Sequence, residues 1–233
     1  MTTAMTIYIV AFVCIYAATT VSYFFSETSG NFKRRATNKI ILASLFMFYS
    51  IFEFFHMGYG FSSIQFECLI GVFFAFLGDV LLLWSFSKGG VSFAIGNVIL
   101  FIYELKYFGE NGLTFKDYWW FLVIYATIIL VWSYLWFSGW YDYSKKPAMK
   151  FMFPPYIMSV TLHGTLSIAG LFVLPFSIKS ILLCCGLLLF AVSDFFISMH
   201  KFKYTESKAI LRFNSGTYFI GLMLVALSFS FIK

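Results

Sequence analysis

The sequence predicts an all-α, polytopic membrane protein with about eight transmembrane helices and a four-plus-four parallel internal repeat. Hydrophobic residues occupy 61% of the 233 positions and charged residues only 11%, whereas soluble domains usually carry about 25% charged residues. Long apolar runs recur along the whole chain, and two of them share motifs with two later runs. A soluble core of this size could not bury so many apolar side chains, so lipid must cover them.

The eight helices are predicted from apolar runs that lie between charged or turn-rich breaks, because a bilayer core needs about 20 apolar residues per helix. The runs are 4–25, 39–57, 64–85, 91–109, 118–138, 151–173, 178–200 and 213–232. The first run is too long for the apolar region of a signal peptide, and no basic residue precedes it, so we treat it as a helix. Residues 1–233 therefore form one transmembrane domain.

Lysine and arginine positions predict the orientation of these helices. With eight crossings, twelve of the 16 basic residues fall on the side of the odd-numbered loops. Basic residues favour the cytoplasmic side, so both termini are predicted to be non-cytoplasmic. The net charge of +6 follows from this topology, and no nucleic-acid partner is expected. The protein is predicted to be a multi-pass protein of the endoplasmic reticulum or the plasma membrane.

An internal duplication is indicated by two pairs of matching helices. The third and seventh helices share a glycine, six residues, a small residue and an aspartate, in 71–79 and 186–194. The fourth and eighth helices share Phe-x-x-Gly followed by a polar residue, in 93–97 and 213–217. Four helices separate each pair, so the halves have the same orientation, and such repeats commonly meet at a central site. The predicted halves are 1–117 and 118–233.

Two intramembrane acids, Asp79 and Asp194, are the main functional candidates. An acid inside a bilayer costs at least ~2.5 kcal/mol on insertion scales, so it faces the bundle interior. Both aspartates lie about six residues from the cytoplasmic ends of matching helices, roughly 9 Å deep at 1.5 Å per residue. We therefore expect them to meet in one cavity. The alternative is that they only bind hydroxyl groups and hold helices together, although small apolar side chains would do this without the insertion cost.

Other polar side chains are predicted to line the same cavity. They are Lys39, Asn97, Tyr156, Tyr218 and His200. Four of them have a simpler alternative: the lysine snorkels to the interface, the tyrosines belong to an aromatic belt, and the histidine is an interfacial residue.

Further polar residues are assigned no functional role. Glu53 and Glu67 lie near the outer ends of their helices, where solvent accounts for them. Glu104 is expected to be structural, with Lys106 close enough along the helix to snorkel past it or to pair with it. His163 is expected to be a hydrogen-bonded core residue. The four cysteines lack ligand spacing, so neither a metal site nor a disulfide is predicted, and the chain has no GxSxG or HExxH motif.

Several of these residues form a pattern that runs through most of the chain. Its elements are Lys39, Gly78-Asp79, the Phe-x-x-Gly of the fourth helix, Pro155-Tyr156, the 188–194 segment and Tyr218-Phe219. In this pattern the chain resembles the lysoplasmalogenase-like (YhhN-type) integral membrane proteins. It departs from them where they often carry a histidine, here Phe101-Ile102, and where a Gln or His usually follows the last tyrosine, here near Leu222.

The resemblance implies hydrolysis of the vinyl-ether bond of a lysoplasmalogen, giving a fatty aldehyde and a glycerophospho-head group. Vinyl ethers hydrolyse by protonation on carbon, so a carboxylic acid supplies the proton and a second carboxylate stabilises the resulting cation. Asp79 and Asp194 would share one proton, and Lys39 would attract the lipid phosphate. No metal or organic cofactor is expected. The alternatives are a non-catalytic lipid-binding or transport protein of the same fold and a proton-coupled transporter.

Three aromatic and polar side chains complete the expected substrate site. Asn97, Tyr156 and Tyr218 would orient the polar backbone of the lysophospholipid, with His200 at the edge of the cavity. The apolar chain would extend toward the outer leaflet through the Phe-rich interior of the bundle.

Overall fold

The computed structural model describes residues 3–144 and 149–231, and the described residues form nine helices and no strand. The helices are α1 (Thr3–Glu27), α2 (Phe32–His56), α3 (Ile64–Leu82), α4 (Phe86–Glu110), α5 (Phe115–Tyr118), α6 (Phe121–Phe137), α7 (Met149–Val173), α8 (Ile178–Phe202) and α9 (Lys208–Ser228). Every predicted apolar run coincides with one of the eight longer helices, and α5 is a single additional turn. The all-α prediction is therefore confirmed.

Several helices begin earlier than the apolar runs predicted. The Asn31 side chain accepts a hydrogen bond from the backbone N–H of Arg34 and caps α2, and the Ser85 hydroxyl accepts from the backbone N–H of Lys88 and caps α4. Such caps satisfy the first backbone donors of a helix in the polar interface, outside the apolar core. Lys39 consequently lies two turns inside α2 instead of opening it. Most of the predicted break at 144–147, and the last residue of the predicted 213–232 run, lie outside the described residues.

Seven of the described helices are long and apolar enough to span a membrane, and α6 is a shorter apolar helix of 17 residues. The α4 and α7 helices run in the same direction, because Ser87 Oγ lies 3.7 Å from Met149 Sδ near their starts and the Ser167 hydroxyl donates to Glu104 near their ends. The chain between them must therefore return along the bundle, and α6 makes this return. A 17-residue helix lies at the lower limit for crossing a bilayer.

The single turn α5 precedes this return. The backbone N–H of Thr114 donates to the Asp117 carboxylate at 2.7 Å, and the Thr114 hydroxyl donates at 2.9 Å. These hydrogen bonds lower the pKa of Asp117 below its ordinary value, because they favour the charged form. The turn therefore remains polar and charged, and it forms part of the connection that leads from α4 to α6.

Seven helices form a ring from which α6 is excluded. The order of contacts is α1, α2, α3, α4, α7, α8 and α9, and α9 packs back against α1 and α2, while α6 packs against α7. The Trp132 ring of α6 contacts Phe153 of α7 and Phe195 of α8. The ring therefore encloses a common interior, and α6 flanks it.

Each half of the chain contains one pair of helices that cross at two glycines. A Cβ atom on Gly96 would lie 3.2 Å from the carbonyl oxygen of Gly71, and one on Gly221 would lie 2.7 Å from that of Gly186. The absence of side chains lets α3 approach α4, and α8 approach α9, through backbone contact. This likeness supports the predicted duplication but changes one matched position, because Gly221, and not Gly216, makes the contact that corresponds to Gly96.

Three acidic residues have surroundings that differ from the sequence prediction. Glu53 is fully buried, so solvent does not account for it. Lys106 of α4 pairs with Glu67 of α3 and not with Glu104. Glu104, also fully buried, accepts the hydroxyl hydrogen of Ser167 and links α4 to α7. Hydropathy indicates depth along a helix but not the direction in which a side chain points, which explains these errors.

His163 also differs from its predicted role. Its side chain is fully buried, and among the described residues neither ring nitrogen has a hydrogen-bond partner. The imidazole instead packs against Phe190, with the ring centroids 5.7 Å apart. The prediction of a hydrogen-bonded core histidine is therefore wrong in its polar contacts and right in its burial.

Candidate active site

A cavity of about 820 Å³ lies inside the ring, on the predicted cytoplasmic side. Its walls come from α1, α2, α3, α4, α7, α8 and α9, and residues of α6 are not among those that line it in the described part of the chain. Polar and charged side chains on these walls are Tyr23, Glu27, Arg35, Lys39, Asp79, Ser87, Tyr156, Ser159, Asp194, Ser198, Lys201, Asn214, Ser215 and Tyr218. Ligand sites typically occupy about 300–1,000 Å³, so this cavity is large enough for a ligand.

Asp79 is held at both carboxyl oxygens by side chains from other helices. Lys39 Nζ of α2 lies 3.0 Å from Oδ1, and the Tyr218 hydroxyl of α9 donates to Oδ2 at 2.7 Å. Asp79 is only 2% exposed, and Lys39 is 15% exposed. Lys39 thus points into the bundle and does not snorkel to the interface. A lysine and a hydroxyl donor at this distance stabilise the ionised carboxylate.

Asp194 lines the same cavity but has a different environment. Its carboxyl group lies on the same cavity wall as Tyr156 of α7, and Asp79 lines the same cavity. Among the described residues, its Oδ2 atom has no hydrogen-bond partner. The two aspartates therefore line one cavity, one with both oxygens bound and one with a buried oxygen that has no partner among the described residues.

An aromatic floor, formed by Phe93, Phe190 and Tyr218, lies at the deep end of the cavity beside α8 and α9. Phe93 and Tyr218 line the cavity, which continues along α4 as far as Ile99, and Phe190 packs against both rings. The Tyr218 ring centroid lies 5.9 Å from that of Phe93 and 5.5 Å from that of Phe190, and the two phenylalanines are 6.2 Å apart. All three side chains are buried. Gly78 lets Phe93 pack against α3, because a Cβ atom there would lie 2.8 Å from its ring. The floor separates the aspartates from the interior beyond it.

Two predicted site residues, Asn97 and His200, are not among those that line the cavity. Asn97 lies one turn beyond Phe93 on α4 and is fully buried behind the aromatic floor. His200 lies on α8, where residues 194, 197, 198 and 201 line the cavity. Position 200 falls on another face of the helix because successive residues are about 100° apart at 3.6 residues per turn. Contrary to the prediction, neither Asn97 nor His200 is therefore placed to contact a substrate in this cavity.

A third carboxyl group in the cavity, Glu27, was not predicted. It is buried at the end of α1, where it accepts hydrogen bonds from the Tyr23 hydroxyl at 3.0 Å and the Ser215 hydroxyl at 2.6 Å. The predicted first helix ended at residue 25, which placed Glu27 in a loop. The spacing of four residues between Tyr23 and Glu27 was the available signal, since it places both on one face of a continuing helix.

Arg35 and Lys201 provide further positive charge on the cavity wall. Both were assigned only to topology in the sequence. Helix α2 begins before Arg35, so this residue belongs to the helix and turns toward the cavity.

The described side chains do not form a candidate metal site. Within residues 3–144 and 149–231, no three His, Cys, Asp or Glu side chains lie close enough together to hold an ion.

The hydrogen bond to Asp79 gives the first testable prediction. We expect Tyr218→Phe to lower the free energy of unfolding by about 1–3 kcal/mol, because it removes a donor to a buried carboxylate. Denaturant unfolding of the purified protein in mixed micelles measures the change. Tyr134→Phe is the matched control, because Tyr134 is 72% exposed, and we expect it to leave stability unchanged. Equal stability of the two variants would contradict the role given to this hydrogen bond.

Comparison with known proteins gives one match. The model of the YhhN family, the family of lysoplasmalogenase-like proteins, matches residues 34–229. The matched region begins in α2 and continues into the segment after α9, and α1 lies outside it. Neither the search of curated proteins nor the search of solved structures found a match.

Proposed function

Because the chain belongs to the YhhN family, we propose that it is a membrane hydrolase that cleaves the vinyl-ether bond of lysoplasmalogens. The products are a fatty aldehyde and a glycerophospho-head group. The family makes a lysoplasmalogenase-like membrane protein the expected type of molecule. The observation that supports the specific reaction is the presence of two carboxyl groups with different partners in one cavity.

The different environments of the two aspartates suit two different roles. Asp79 has Lys39 and Tyr218 at its oxygens, which suits a carboxylate that remains ionised. Asp194 is buried, and its Oδ2 atom has no hydrogen-bond partner among the described residues. Burial without such partners favours the neutral form of a carboxyl group, which suits an acid that delivers a proton to a substrate. Pairs of carboxyl groups whose environments differ in this way are the usual basis for separate acid and anion roles.

The proposed reaction begins with transfer of the Asp194 proton to the double-bond carbon remote from the ether oxygen. The carbon next to the oxygen becomes part of an oxocarbenium ion, which the negative charge of Asp79 stabilises. Water then adds to this carbon, and the Asp194 carboxylate takes up the proton that the water loses. The resulting hemiacetal breaks its bond to the glycerol oxygen, which takes the proton of Asp194, and the hemiacetal hydroxyl gives its own proton to the Asp194 carboxylate. The aldehyde leaves, and Asp194 ends the cycle in its acid form.

The charged wall of the cavity suits the polar end of such a lipid. Arg35 and Lys201 line the same cavity as Lys39, and guanidinium and ammonium groups form strong hydrogen bonds with phosphate. Arg35 and Lys201 lie nearer the predicted cytoplasmic ends of their helices than Lys39 does, so we assign the phosphate mainly to them. Tyr156 and Tyr218 then lie beside the glycerol backbone.

The test is aldehyde release from a lysoplasmalogen by the purified protein in lipid nanodiscs. The matched control substrate is the alkyl-ether lysophospholipid that differs only by lacking the double bond. We expect aldehyde from the vinyl ether and no cleavage of the alkyl ether, because the saturated chain has no carbon that accepts the proton. Absence of aldehyde from the vinyl ether would refute the proposal, and cleavage of both lipids would refute the mechanism.

The second candidate is a lipid-binding or transport protein without catalysis. The full occupation of the Asp79 oxygens favours it, since Lys39 and Tyr218 would hold three helices together without any chemistry. This candidate predicts lysophospholipid bound to the purified protein, detected by native mass spectrometry, with no product over any incubation time. The aldehyde assay therefore separates the two candidates.

A further inference from the structure

One wall of the cavity lies at the outer surface of the helix ring. Val91, Ile95 and Val98 of α4 line the cavity, and they are 49%, 41% and 47% exposed. Deeper lining residues such as Asp79 and Tyr218 are only 2% and 7% exposed, so the cavity itself does not account for exposure of this size. The three α4 residues therefore stand at an opening in the wall.

The same row of side chains on α4 continues past the cavity, and its next residue shows which way this face of the helix is directed. Ile102 follows Val98 by four residues and lies on the same helix face. It is 42% exposed but is not among the residues that line the cavity. The face that carries all four residues is consequently directed to the outside of the ring, where lipid surrounds the protein.

The opposite edge of the opening belongs to α7. Pro155 is exposed and Ser159 is half-buried, and both line the cavity. We call the opening bounded by Val91, Ile95, Val98, Pro155 and Ser159 the α4–α7 window. The two helices meet above it through Glu104 and Ser167. The start of α6 lies against α4 beyond the window, where the Phe121 and Phe101 ring centroids are 6.5 Å apart, and at Trp132 the helix lies on the far side of α7. The window is thus a gap between α4 and α7, which contact each other farther along their length at Glu104 and Ser167.

The window lies at the depth of the lipid chains. Val91 and Val98 are five and twelve residues from the start of α4 at Phe86, which corresponds to about 7–18 Å at 1.5 Å per residue. The hydrocarbon core is about 30 Å thick, so the window opens into the leaflet on the predicted cytoplasmic side. Four of its five bordering side chains are apolar, Ser159 being the exception, whereas the phosphate-binding candidates Arg35 and Lys201 lie at the polar end of the cavity.

A hydrocarbon chain in the cavity has no straight route to the other leaflet. The aromatic floor of Phe93, Phe190 and Tyr218 closes that direction with buried, packed rings. This arrangement differs from the expectation that the chain extends through the Phe-rich interior. The apolar exit at the level of the aspartates is the α4–α7 window.

We propose that the hydrocarbon chain of the lysophospholipid passes through the α4–α7 window and stays in the surrounding leaflet. This inference rests on the proposed function for the identity of the lipid. The head group occupies the charged end of the cavity, and the bond to be cleaved lies beside Asp79 and Asp194. Most of the chain then contacts lipid and not protein, so the rate depends little on chain length beyond the carbons that cross the window.

The first test locates the chain without requiring turnover. A non-hydrolysable alkyl-ether lysophospholipid that carries a diazirine several carbons from the ether oxygen is photolysed with the protein in nanodiscs, and adducts are mapped by mass spectrometry. We expect adducts on α4 and α7 at the window, and competition by unlabelled lipid. Adducts that fall instead on α1, α8 or α9, or on the far side of the aromatic floor, would overturn the proposal.

The second test uses a matched pair of substitutions. We expect Val98→Trp, which fills the window, to lower both labelling and aldehyde release by about tenfold or more, since small displacements of a reacting group have large effects on rate. We expect Ile102→Trp, one turn away on the same exposed stripe, to resemble the wild type. Size-exclusion chromatography verifies that both variants are folded, and equal activity and labelling of the two would refute the window.

The two tests separate this inference from the proposed function. If the wild type releases no aldehyde while Val98→Trp still loses specific labelling at the window, the hydrolase proposal fails and the lipid path stands. If the wild type releases aldehyde and Val98→Trp matches Ile102→Trp in rate, the reaction stands and the window fails.

Discussion

Asp79→Asn and Asp194→Asn are each expected to lower aldehyde release by about 10²–10⁴-fold, the range in which positioned acids and bases contribute to catalysis. An amide has no proton to donate to carbon at neutral pH and no charge to stabilise the oxocarbenium ion. Initial rates with saturating lysoplasmalogen measure the effect. Glu104→Gln is the matched control, because Glu104 is equally buried in the membrane region but is not among the residues that line the cavity.

The two aspartate variants should also differ from each other in stability. Asp79→Asn leaves Lys39 without its carboxylate, and an uncompensated charge in a largely buried position is strongly destabilising. Asp194→Asn keeps a side chain that can still accept the Tyr156 hydroxyl. We therefore expect loss of activity and stability in the first variant and loss of activity alone in the second. Activity within tenfold of the wild type in either variant would refute the paired-aspartate mechanism.

Gly221→Ala is expected to prevent stable packing of α8 against α9. The added Cβ atom would lie 2.7 Å from the carbonyl oxygen of Gly186 and 2.8 Å from the backbone nitrogen of Phe190. Backbone atoms cannot rotate away as a side chain does, so the helices must separate, and overpacking of this kind costs about 1–3 kcal/mol or more. Asp194 and Tyr218 lie on these two helices, so the site is distorted too. The measurement is the yield of monodisperse protein and its thermal midpoint in detergent.

Gly109→Ala is the control for this prediction. Gly109 lies in α4, and a Cβ atom there would have no neighbour within 4 Å. Alanine is favoured over glycine in a helix by up to about 1 kcal/mol, so this variant should be as stable as the wild type or slightly more stable. If both alanine variants had the same thermal midpoint, the close approach of α8 and α9 at Gly221 would not be required for the fold.

The sequence predicts the helices well because lipid imposes one simple requirement on them. A spanning segment must be long and apolar, and all eight predicted runs coincide with helices. Their ends are less predictable, because the caps at Asn31 and Ser85 lie in the interface, where hydropathy carries little information. Because of this error of several residues, Arg35 was placed outside α2 and Lys39 was placed at its first position.

The sequence predicted how deep the candidate site residues lie in the membrane, but it did not predict the directions in which their side chains point. The insertion cost of an acid identified Asp79 and Asp194, and both line one cavity. Asn97 lies at a suitable depth but points behind the aromatic floor, and polarity alone does not reveal this. Glu27 was left out of the predicted site, although it lines the cavity, because it follows the last apolar residue of its run. Its burial depends on hydrogen bonds from Tyr23 and Ser215, which the apolar pattern does not show.

The position of α1 has a consequence for how this cavity can be modified. The family match begins at residue 34, yet α1 supplies Tyr23 and Glu27 to the entrance of the cavity. The proposed reacting groups and the phosphate-binding candidates Arg35 and Lys201 all lie within the matched stretch, whereas Tyr23 and Glu27 lie before it. Exchange of the first helix alone would therefore change two polar side chains at the cavity entrance and leave the proposed site residues unchanged.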